Sequence, residues 1–272
     1  MSTPLELFGH PVLGRLGDGA ASVIYKVRDP GSSRLLALKH VVKRSDKDQR
    51  FLDQVESEHR IGSTLRHRGI RAIGRLRRKR QRFRTVELGL LMEYVEAPGL
   101  DGLSRPTPSE AVRIFLRIAE ALHVMHEQGF VHADMKPTNV LVGDDLVKVI
   151  DLGQACEIGT RKSRIQGTPG YIAPEQAARR RITERTDVYN FGATMYWMLT
   201  GREVPTAGPG NGTGAAVPPA ANRLNPQVPA ELAEIISLSL EPNSHGRWKN
   251  MHAVVRQLDK LPATRVEQSK TA

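Results

Sequence analysis

The sequence predicts an α+β protein of two lobes, a strand-rich first lobe with one helix and a mainly helical second lobe. Short runs rich in Leu, Val and Ile, typical of strands, dominate the first third of the chain. Longer apolar runs with helical spacing dominate the remainder. The pattern changes near Ala97-Pro98-Gly99, so we place the lobes at residues 1–96 and 97–262, followed by a polar tail at 263–272.

The first lobe contains the strand signals. Residues 12–29 predict two strands joined by a glycine-rich turn, and residues 34–42 predict a third. Apolar residues recur at helical spacing over residues 51–65, and residues 87–95 predict another strand. A basic segment, Arg66–Arg84, lies between that helix and that strand.

The second lobe contains the helix signals. A long amphipathic helix is predicted over residues 109–129, beginning at Thr107 or Ser109 and ending at Gly129. A small hairpin around residues 143–145 follows it. Further helices are predicted over residues 186–201, 229–240 and 251–261. The stretch 204–222, rich in Gly, Pro and Ala, predicts a mobile loop.

Composition excludes several classes of protein. With one cysteine, Cys156, no intrachain disulfide can form, which is typical of a reducing compartment. No apolar run approaches the roughly 20 residues that a membrane-spanning helix needs. The first ten residues lack the basic start and apolar stretch of a secretory signal. We therefore expect a cytoplasmic protein without a transmembrane segment.

The net charge of +11 is concentrated in the segment Arg66–Arg84, which contains no acidic residue. Such a segment can be a solvated hairpin face, or it can bind nucleic acid, an acidic protein or an anionic membrane. Phe83 is its only aromatic residue, whereas stacking on bases uses several. We expect no nucleic acid there and retain an acidic partner as the binding alternative.

The stretch HADMKPTN, residues 132–139, has the composition of a phosphoryl-transfer loop. Asp134 can accept the proton of an attacking hydroxyl, and Lys136 can neutralise charge on the moving phosphoryl group. Asn139 offers an oxygen to Mg²⁺, and Asp151, in the turn Asp151-Leu152-Gly153, offers a second. The loop and the turn together predict a metal-assisted transfer centre.

Three features of the first lobe suit the same chemistry. The turn Gly17-Asp18-Gly19 lets backbone N–H groups approach a phosphate. Lys39 lies on a predicted strand, and either Glu56 or Glu58 on the following helix can orient it toward phosphate oxygens. Each feature is common by itself, and their order along the chain is what makes them specific.

In that order the motifs resemble the eukaryotic-type (Hanks-type) serine/threonine protein kinases over nearly the whole chain, most closely in a bacterial form. The resemblance implies the two-lobed kinase fold, with an ATP-binding first lobe and a second lobe that carries the catalytic loop and the activation segment. It implies ATP and Mg²⁺ (or Mn²⁺). The matching motifs are Gly17, Gly19, Ser22 and Val23 in the glycine-rich loop, Lys39, Glu58, His132–Asn139, Asp151-Leu152-Gly153 and Ala173-Pro174-Glu175.

The resemblance also implies roles for single residues. It favours Glu58 over Glu56, because His67 follows Glu58 by nine residues as in the family. Asp187 would brace the catalytic loop. Glu175 and Arg247 would form a buried ion pair. The adenine side of the nucleotide would contact Leu16, Val23, Ala37, Met92, Glu93, Val95 and Leu141.

Lys136 followed by Pro137 resembles the serine/threonine pattern rather than that of tyrosine or small-molecule kinases. Thr168 would then bridge Asp134 and Lys136. The expected activity is transfer of the γ-phosphoryl group of ATP to Ser and Thr hydroxyls of proteins, including the chain itself. A pseudokinase scaffold and a basic-patch binding module are the alternatives.

Two departures from the family pattern have consequences. Ala133 stands where the family usually has an Arg that reads a phosphate on the activation loop, so we expect activity that is independent of that phosphate. Gly62 stands where the family prefers a larger apolar residue. Because Gly also lowers helix propensity, we expect a loosely docked helix and a Lys39–Glu58 pair that needs a partner or ATP to form.

Overall fold

The computed structural model describes residues 3–19, 21–205 and 217–262. The described chain divides into two compact units, one rich in strands and one mainly helical, which confirms the predicted α+β class. The first unit contains the chain up to Arg66, together with Arg71–Glu96 and Asp151–Gly153. The second contains His67–Ile70, Ala97–Ile150 and the described residues from Gln154 onward.

The first unit is an antiparallel sheet of six strands with one helix against it. The strands are β1 (Glu6–Leu7), β2 (His10–Asp18), β3 (Ser22–Arg28), β4 (Leu35–Val42), β5 (Ile73–Gln81) and β6 (Arg84–Glu93). Their order in the sheet is β1-β2-β3-β4-β6-β5, so the basic strand β5 is an edge strand. Helix α1 (Gln49–Gly62) buries Leu52, Val55 and Ile61 against strands β4, β5 and β6.

The two faces of this sheet have different chemistry. Lys39 on β4 lies opposite Ile24 on β3 and Leu90 on β6. Because directly opposed residues share a face, these three side chains lie on one face of the sheet. The other face buries an apolar cluster formed by Tyr25, Val27, Leu38 and Leu91. Helix α1 reaches the Lys39 face, since its Glu58 contacts Lys39.

The second unit is organised around two long helices, α2 (Pro108–Glu127) and α4 (Glu184–Thr200). Thr107 caps α2 through a reciprocal pair of hydrogen bonds with Glu110, which settles where the helix begins. Helix α4 is buried on nearly every side, so its apolar sequence shows little amphipathic pattern. The shorter helices are α3 (Pro174–Ala177), α5 (Ala221–Leu224), α6 (Ala230–Ser239) and α7 (Met251–Leu258).

Two small two-stranded ribbons position the loops of this unit. Strand β7 (Phe130–Val131) pairs with β10 (Cys156–Glu157), and β8 (Val140–Val142) pairs with β9 (Val147–Val149). The second ribbon is the hairpin predicted from the sequence. The loop 132–139 runs from β7 to β8 and is therefore fixed at both ends.

Part of the segment 204–222 departs from the prediction of a mobile loop. Residues 221 and 222 begin helix α5, whose Asn225 cap donates a hydrogen bond to the backbone oxygen of Leu199. Residues 206–216 and the polar tail 263–272 lie outside the described residues. Within the described residues, no helix combines the length and the apolar character that a membrane crossing requires.

Candidate active site

The loop 132–139 presents Asp134 and Lys136 to a hydroxyl from the activation segment. Lys136 Nζ donates to Thr168 Oγ1 at 2.8 Å, and Thr168 Oγ1 donates to Asp134 Oδ1 at 3.1 Å. Lys136 Nζ also lies 3.2 Å from Asp134 Oδ2. The three side chains therefore form a closed set in which the hydroxyl both accepts and donates.

Asn139 lies at the end of the same loop and is buried. Its Nδ2 donates to the backbone oxygen of Asp134 at 2.8 Å, which holds the loop in a tight turn. Because the amide nitrogen is committed to the backbone, the amide oxygen is the end of the side chain that a cation can use.

Asp187, at the start of α4, fixes the backbone of the loop 132–139 through hydrogen bonds. Its carboxylate accepts hydrogen bonds from the backbone N–H groups of His132 and Ala133, both at 2.8 Å, and from His126 Nε2 at 2.9 Å. Burial raises the pKa of Asp187, but the hydrogen bond and charge of His126, followed by His132 and the Ala133 N–H, outweigh it, and the net pKa lies below its usual value.

Ala133 has a backbone φ of +60°, a conformation that non-glycine residues rarely adopt. The two N–H bonds to Asp187 hold it there, and its carbonyl oxygen accepts from Gln176 Nε2 at 2.8 Å. Its side chain is fully buried in an apolar cluster with Val131 and Ile182. The methyl group is therefore part of a core and does not face a phosphate site.

In the first unit, Lys39 forms two short ion pairs. Its Nζ lies 2.7 Å from Glu58 Oε2 and 2.9 Å from Asp151 Oδ1. Burial opposes the charge of Lys39, but the two carboxylates outweigh it and raise the pKa of the ammonium group above its usual value. Glu56 instead pairs with Arg78 on β5 at 3.1 Å. Of the two candidate glutamates, Glu58 is therefore the one that contacts Lys39.

Arg71 is a nearby residue that the sequence did not identify. It is buried, and its charge interacts with those of Glu58, Asp151 and Glu93. Burial lowers the pKa of its guanidinium group, although the three carboxylates oppose that change. An Arg at the start of a basic segment looks solvent-exposed in sequence, and no local pattern distinguishes it from its neighbours.

The oxygen donors suit a magnesium–nucleotide complex better than a protein-only metal site. Asp151 has a φ of +58°, which presents its carboxylate at the end of a turn, and 43% of its side chain is exposed. Among the described residues, no group of three or more His, Cys, Asp or Glu side chains could hold a metal ion. Mg²⁺ commonly uses one or two protein ligands and completes its shell with phosphates and waters, so it does not require a larger protein cluster.

The glycine-rich turn is closed by a hydrogen bond from Gly19 N to Ser22 O at 2.8 Å. A Cβ added at Gly19 would lie 2.5 Å from Ser22 Oγ, whereas one added at Gly17 would meet nothing within 4 Å. A side chain at position 19 would therefore displace the Ser22 hydroxyl. The space above Gly17 is open, as a backbone that approaches a phosphate requires.

The assignment of Val23 to the adenine side is wrong. Val23 packs against the apolar cluster on the face of the sheet opposite to Lys39. Ile24, directly opposite Lys39, shares the Lys39 face together with Ala37 and Met92. Adjacent residues of a strand point to opposite faces, so an error of one position in the motif moves the side chain across the sheet.

The remaining residues expected near adenine are distributed over both units. Leu16 lies at a bulge of β2 with 45% of its surface exposed. Met92 is buried, Glu93 ends β6, and Val95 follows it in the same unit. Leu141 lies on β8 in the second unit.

Helix α1 docks tightly, contrary to the expectation drawn from Gly62. A Cβ at Gly62 would lie 2.3 Å from Ile73 Cγ1 and 3.1 Å from Leu152 Cδ1. The side chain of Ile73 therefore occupies the space that a larger residue at position 62 would fill. In this structure the Lys39–Glu58 pair is formed, with Nζ and Oε2 2.7 Å apart.

The activation segment is held by contacts from both of its ends. Lys162 Nζ donates to the backbone oxygen of Gln154 at 2.6 Å and to its side-chain oxygen at 3.1 Å. After the segment, Glu175 receives a two-pronged contact from Arg247, with Nη1 and Nη2 at 2.8 and 2.9 Å from the two carboxylate oxygens. The side chain of Arg247 is fully buried.

Comparison with known proteins gives the family. A model of the protein kinase domain matches residues 11–256, so this chain belongs to the protein kinase family. A probable serine/threonine-protein kinase of Clostridium acetobutylicum is 28% identical over 268 residues, covering 90% of this chain and 39% of its own length. The serine/threonine-protein kinase AfsK of Streptomyces griseus is 34% identical over 211 residues, covering 73% of this chain and 25% of its own length.

A third relative, the serine/threonine-protein kinase PknB of Mycobacterium tuberculosis, is 29% identical over 278 residues. The match covers 92% of this chain and 42% of that kinase. The chain thus spans between a quarter and about two fifths of the length of these relatives. The resemblance to bacterial serine/threonine kinases is confirmed.

Proposed function

We propose that this chain transfers the γ-phosphoryl group of ATP to Ser and Thr hydroxyls of proteins, including its own. The observation that carries the proposal is the hydrogen-bonded set of Asp134, Thr168 and Lys136. It joins a proton acceptor to a cation through a hydroxyl of the activation segment. The curated relatives are bacterial serine/threonine-protein kinases, which supports the same activity.

The roles of the side chains follow from their contacts. Asp134 accepts the proton of the attacking hydroxyl while Lys136 stabilises charge that develops on the transferred group. Thr168 fixes their separation. Lys39, which Glu58 orients, would contact the phosphate oxygens of the nucleotide. The backbone at Gly17, where the space is open, and at Gly19, whose own N–H bonds to Ser22 O, would lie close to the phosphates.

Asn139 and Asp151 would hold Mg²⁺ (or Mn²⁺) together with the phosphates. The metal ion, when bound, neutralises negative charge on the phosphate chain. Asp187 contributes indirectly, because its bonds to the His132 and Ala133 N–H groups set the direction of the loop that carries Asp134. The adenine ring would contact Leu16, Ile24 in place of Val23, Ala37, Met92, Leu141 and the backbone of Glu93 and Val95.

Activity independent of activation-loop phosphorylation is part of the proposal. Ala133 offers no cation to a phosphate, and its buried position leaves no route for one. Lys162 binds Gln154 from within the segment, and Gln176 binds the Ala133 carbonyl. These contacts support a segment that is ordered without a phosphate.

The test is transfer of labelled phosphate from Mg-ATP to the chain itself and to a generic protein substrate. Asp134→Asn keeps the shape of the side chain and removes the proton acceptor, so transfer should fall by about 100-fold or more. An exposed control, Asp145→Asn, should retain full activity. ATP binding without any transfer in the parent chain would reject the kinase proposal and favour the pseudokinase alternative.

We further propose that the basic hairpin, Arg66–Arg84, binds an acidic protein partner. Strands β5 and β6 expose its arginines, and Phe83 at the tip is fully exposed. Within the described chain, Arg78 and Lys79 find carboxylate partners in Glu56 and Glu87. Calorimetry with an acidic peptide and with DNA should show salt-dependent binding of the peptide that Arg77→Gln/Arg80→Gln weakens. Tighter binding of DNA would contradict this assignment.

A further inference from the structure

A basic and partly apolar cavity lies beside the activation segment of the second unit. It has a volume of about 440 Å³, and we call it the arginine cavity. One wall comes from the activation segment and the other from the end of α3 and the turn after it: Ser163, Arg164, Ile165, Ala177, Ala178 and Arg179. The first wall leads within three residues to Thr168, which contacts Asp134. The cavity and the hydroxyl that contacts Asp134 are therefore carried by the same segment of the chain.

An excess of positive charge surrounds this cavity. Arg161 and Arg181 face each other across a β-bridge that two backbone hydrogen bonds extend, Gly159 N to Ile182 O and Ile182 N to Thr160 O. Arg164 and Arg179 line the cavity, and the same two segments carry three more exposed arginines, Arg161, Arg180 and Arg181. None of the five forms an ion pair with another described residue. Their mutual repulsion would be relieved by an anionic ligand.

The cavity also has an apolar wall. Ile165 is 59% exposed, and the methyl groups of Ala177 and Ala178 lie across from it. A small inorganic anion would use the guanidinium groups and leave this wall in water. Single-stranded nucleic acid commonly stacks its bases on aromatic side chains, and the lining residues include none. A peptide with both carboxylate and aliphatic side chains would satisfy both parts of the cavity.

We propose that the arginine cavity selects protein substrates that carry Asp or Glu, together with an aliphatic side chain, close to the phosphoacceptor hydroxyl. The proposal rests on the proposed kinase function, whose substrate class it narrows. Arg164 and Arg179 bind the carboxylates, a geometry to which a guanidinium group is well suited, and Ile165 receives the aliphatic side chain. A phosphate on Ser163 would offer the same arginines a similar anion, so the test separates the two sources.

The experiment compares two labelled peptides that share one Ser and one Leu and differ only in flanking Glu or Gln residues. Fluorescence anisotropy measures their binding to the chain, and kcat/KM for phosphate transfer is measured on the same pair. We expect about tenfold tighter binding and about tenfold higher kcat/KM for the Glu peptide, a preference that rising salt reduces.

Matched variants locate the effect. Arg164→Gln/Arg179→Gln should remove the preference and leave kcat/KM for the Gln peptide unchanged. Arg223→Gln/Arg256→Gln removes the same charge from exposed positions of the same unit and should keep the preference. If the acidic peptide bound at the basic hairpin instead, Arg164→Gln/Arg179→Gln would not change its affinity. Ser163→Ala should keep the preference as well.

The outcomes distinguish this proposal from the kinase proposal. Transfer to both peptides without preference would overturn the arginine cavity as a substrate site and leave the kinase activity standing. Preferential binding without transfer would uphold the cavity and contradict the kinase activity. A preference that appears only in Ser163→Ala would assign the arginines to the chain's own phosphate and overturn the proposal.

Discussion

At the scale of single residues, the candidate site depends on side chains that hold the backbone. Asp187 makes no contact with Asp134, yet two of its hydrogen bonds fix the peptide groups just before it. They hold Ala133 at a φ that such a residue adopts only at a cost of about 1–3 kcal/mol. The geometry of the loop is therefore stabilised from helix α4.

Asp187→Asn should lower the free energy of unfolding by about 3–5 kcal/mol at pH 7, because the amide NH₂ replaces one carboxylate oxygen and faces a backbone N–H donor in a buried site, and the charge that His126 contacts is lost. The pKa of Asp187 is depressed in the folded state, so its contribution is complete above the unfolded pKa and is lost as pH falls through the folded pKa. The difference between variant and parent should narrow below about pH 4.

Urea unfolding at a series of pH values measures this difference. Asp145→Asn, on the exposed hairpin, should change the free energy of unfolding by less than about 0.5 kcal/mol at every pH. A difference for Asp187→Asn that stays constant into the acid range would show that the carboxylate charge is not what stabilises the loop.

At the scale of elements, the docking of α1 shows that helix propensity is a weak guide. Considered within the helix alone, Gly62 is expected to destabilise α1 because glycine has a low helix propensity. In the sheet, Ile73 of β5 projects onto that position and leaves space for a hydrogen atom only. The helix is therefore positioned by a pair of residues eleven apart in sequence, and Lys39 and Glu58 meet as a consequence.

Gly62→Ala should lower the free energy of unfolding by about 1–3 kcal/mol, because the clash with Ile73 outweighs a propensity gain of about 1 kcal/mol. Ile73→Ala removes the clashing atom, so the double variant should be less destabilised than the sum of the two single changes. Gly31→Ala, where an added Cβ meets nothing within 4 Å, is the control. Strict additivity in urea unfolding would show that the two residues are not coupled.

The activation segment gives a second prediction at this scale. Thr160→Ala/Ser163→Ala removes two candidate phosphoacceptors of the loop that follows Cys156 and should retain most of the activity, since Lys162 and Gln176 hold the segment by contacts that involve no phosphate. Phosphate transfer to a protein substrate is the measurement. A loss of more than about 100-fold, or some 2.7 kcal/mol of transition-state stabilisation, would reject independence from phosphorylation.

At the scale of the whole molecule, one buried ion pair ties the activation segment to the end of the chain. Arg247 contacts both oxygens of Glu175, which lies 72 residues earlier, and donates to the backbone oxygens of Arg185, Glu241 and Pro242. Every part of its guanidinium group therefore has an acceptor. Removing one member of such a buried pair lowers the stability of the fold strongly, because the remaining charge is left buried without a partner.

Arg247→Met should lower the free energy of unfolding by about 3–5 kcal/mol, because Glu175 is left buried without its cation. Glu175→Gln/Arg247→Met should be less destabilised than Arg247→Met alone. Chemical unfolding measures both, with the exposed Arg256→Met expected to stay within about 0.5 kcal/mol of the parent. Equal losses in the single and the double variant would show that the pair is not coupled.

The sequence by itself determined the order of the elements and most of the candidate site. Motifs such as residues 132–139 and 151–153 are local, so spacing alone identifies which side chains are chemically able to act. Alternation along strands and helical spacing likewise predicted most of the longer elements, because each follows from periodicity within one segment. Strand β5 was missed, since its run of basic residues has little apolar alternation. The helix at Ala221–Leu224 was missed, since a stretch rich in Gly, Pro and Ala carries no such periodicity.

The tertiary structure decided what depends on residues distant in sequence. It showed that Val23 lies on the face opposite to Lys39 and that Ile24 lies on the Lys39 face. The face that a strand residue occupies is fixed by the pairing of two strands, which the sequence of one strand does not specify. It filled the space at Gly62 with Ile73 and buried Arg71 beside Glu58 and Asp151. It also gathered unpaired arginines around one cavity. Packing and charge depend on all neighbours at once, and only the folded chain specifies those neighbours.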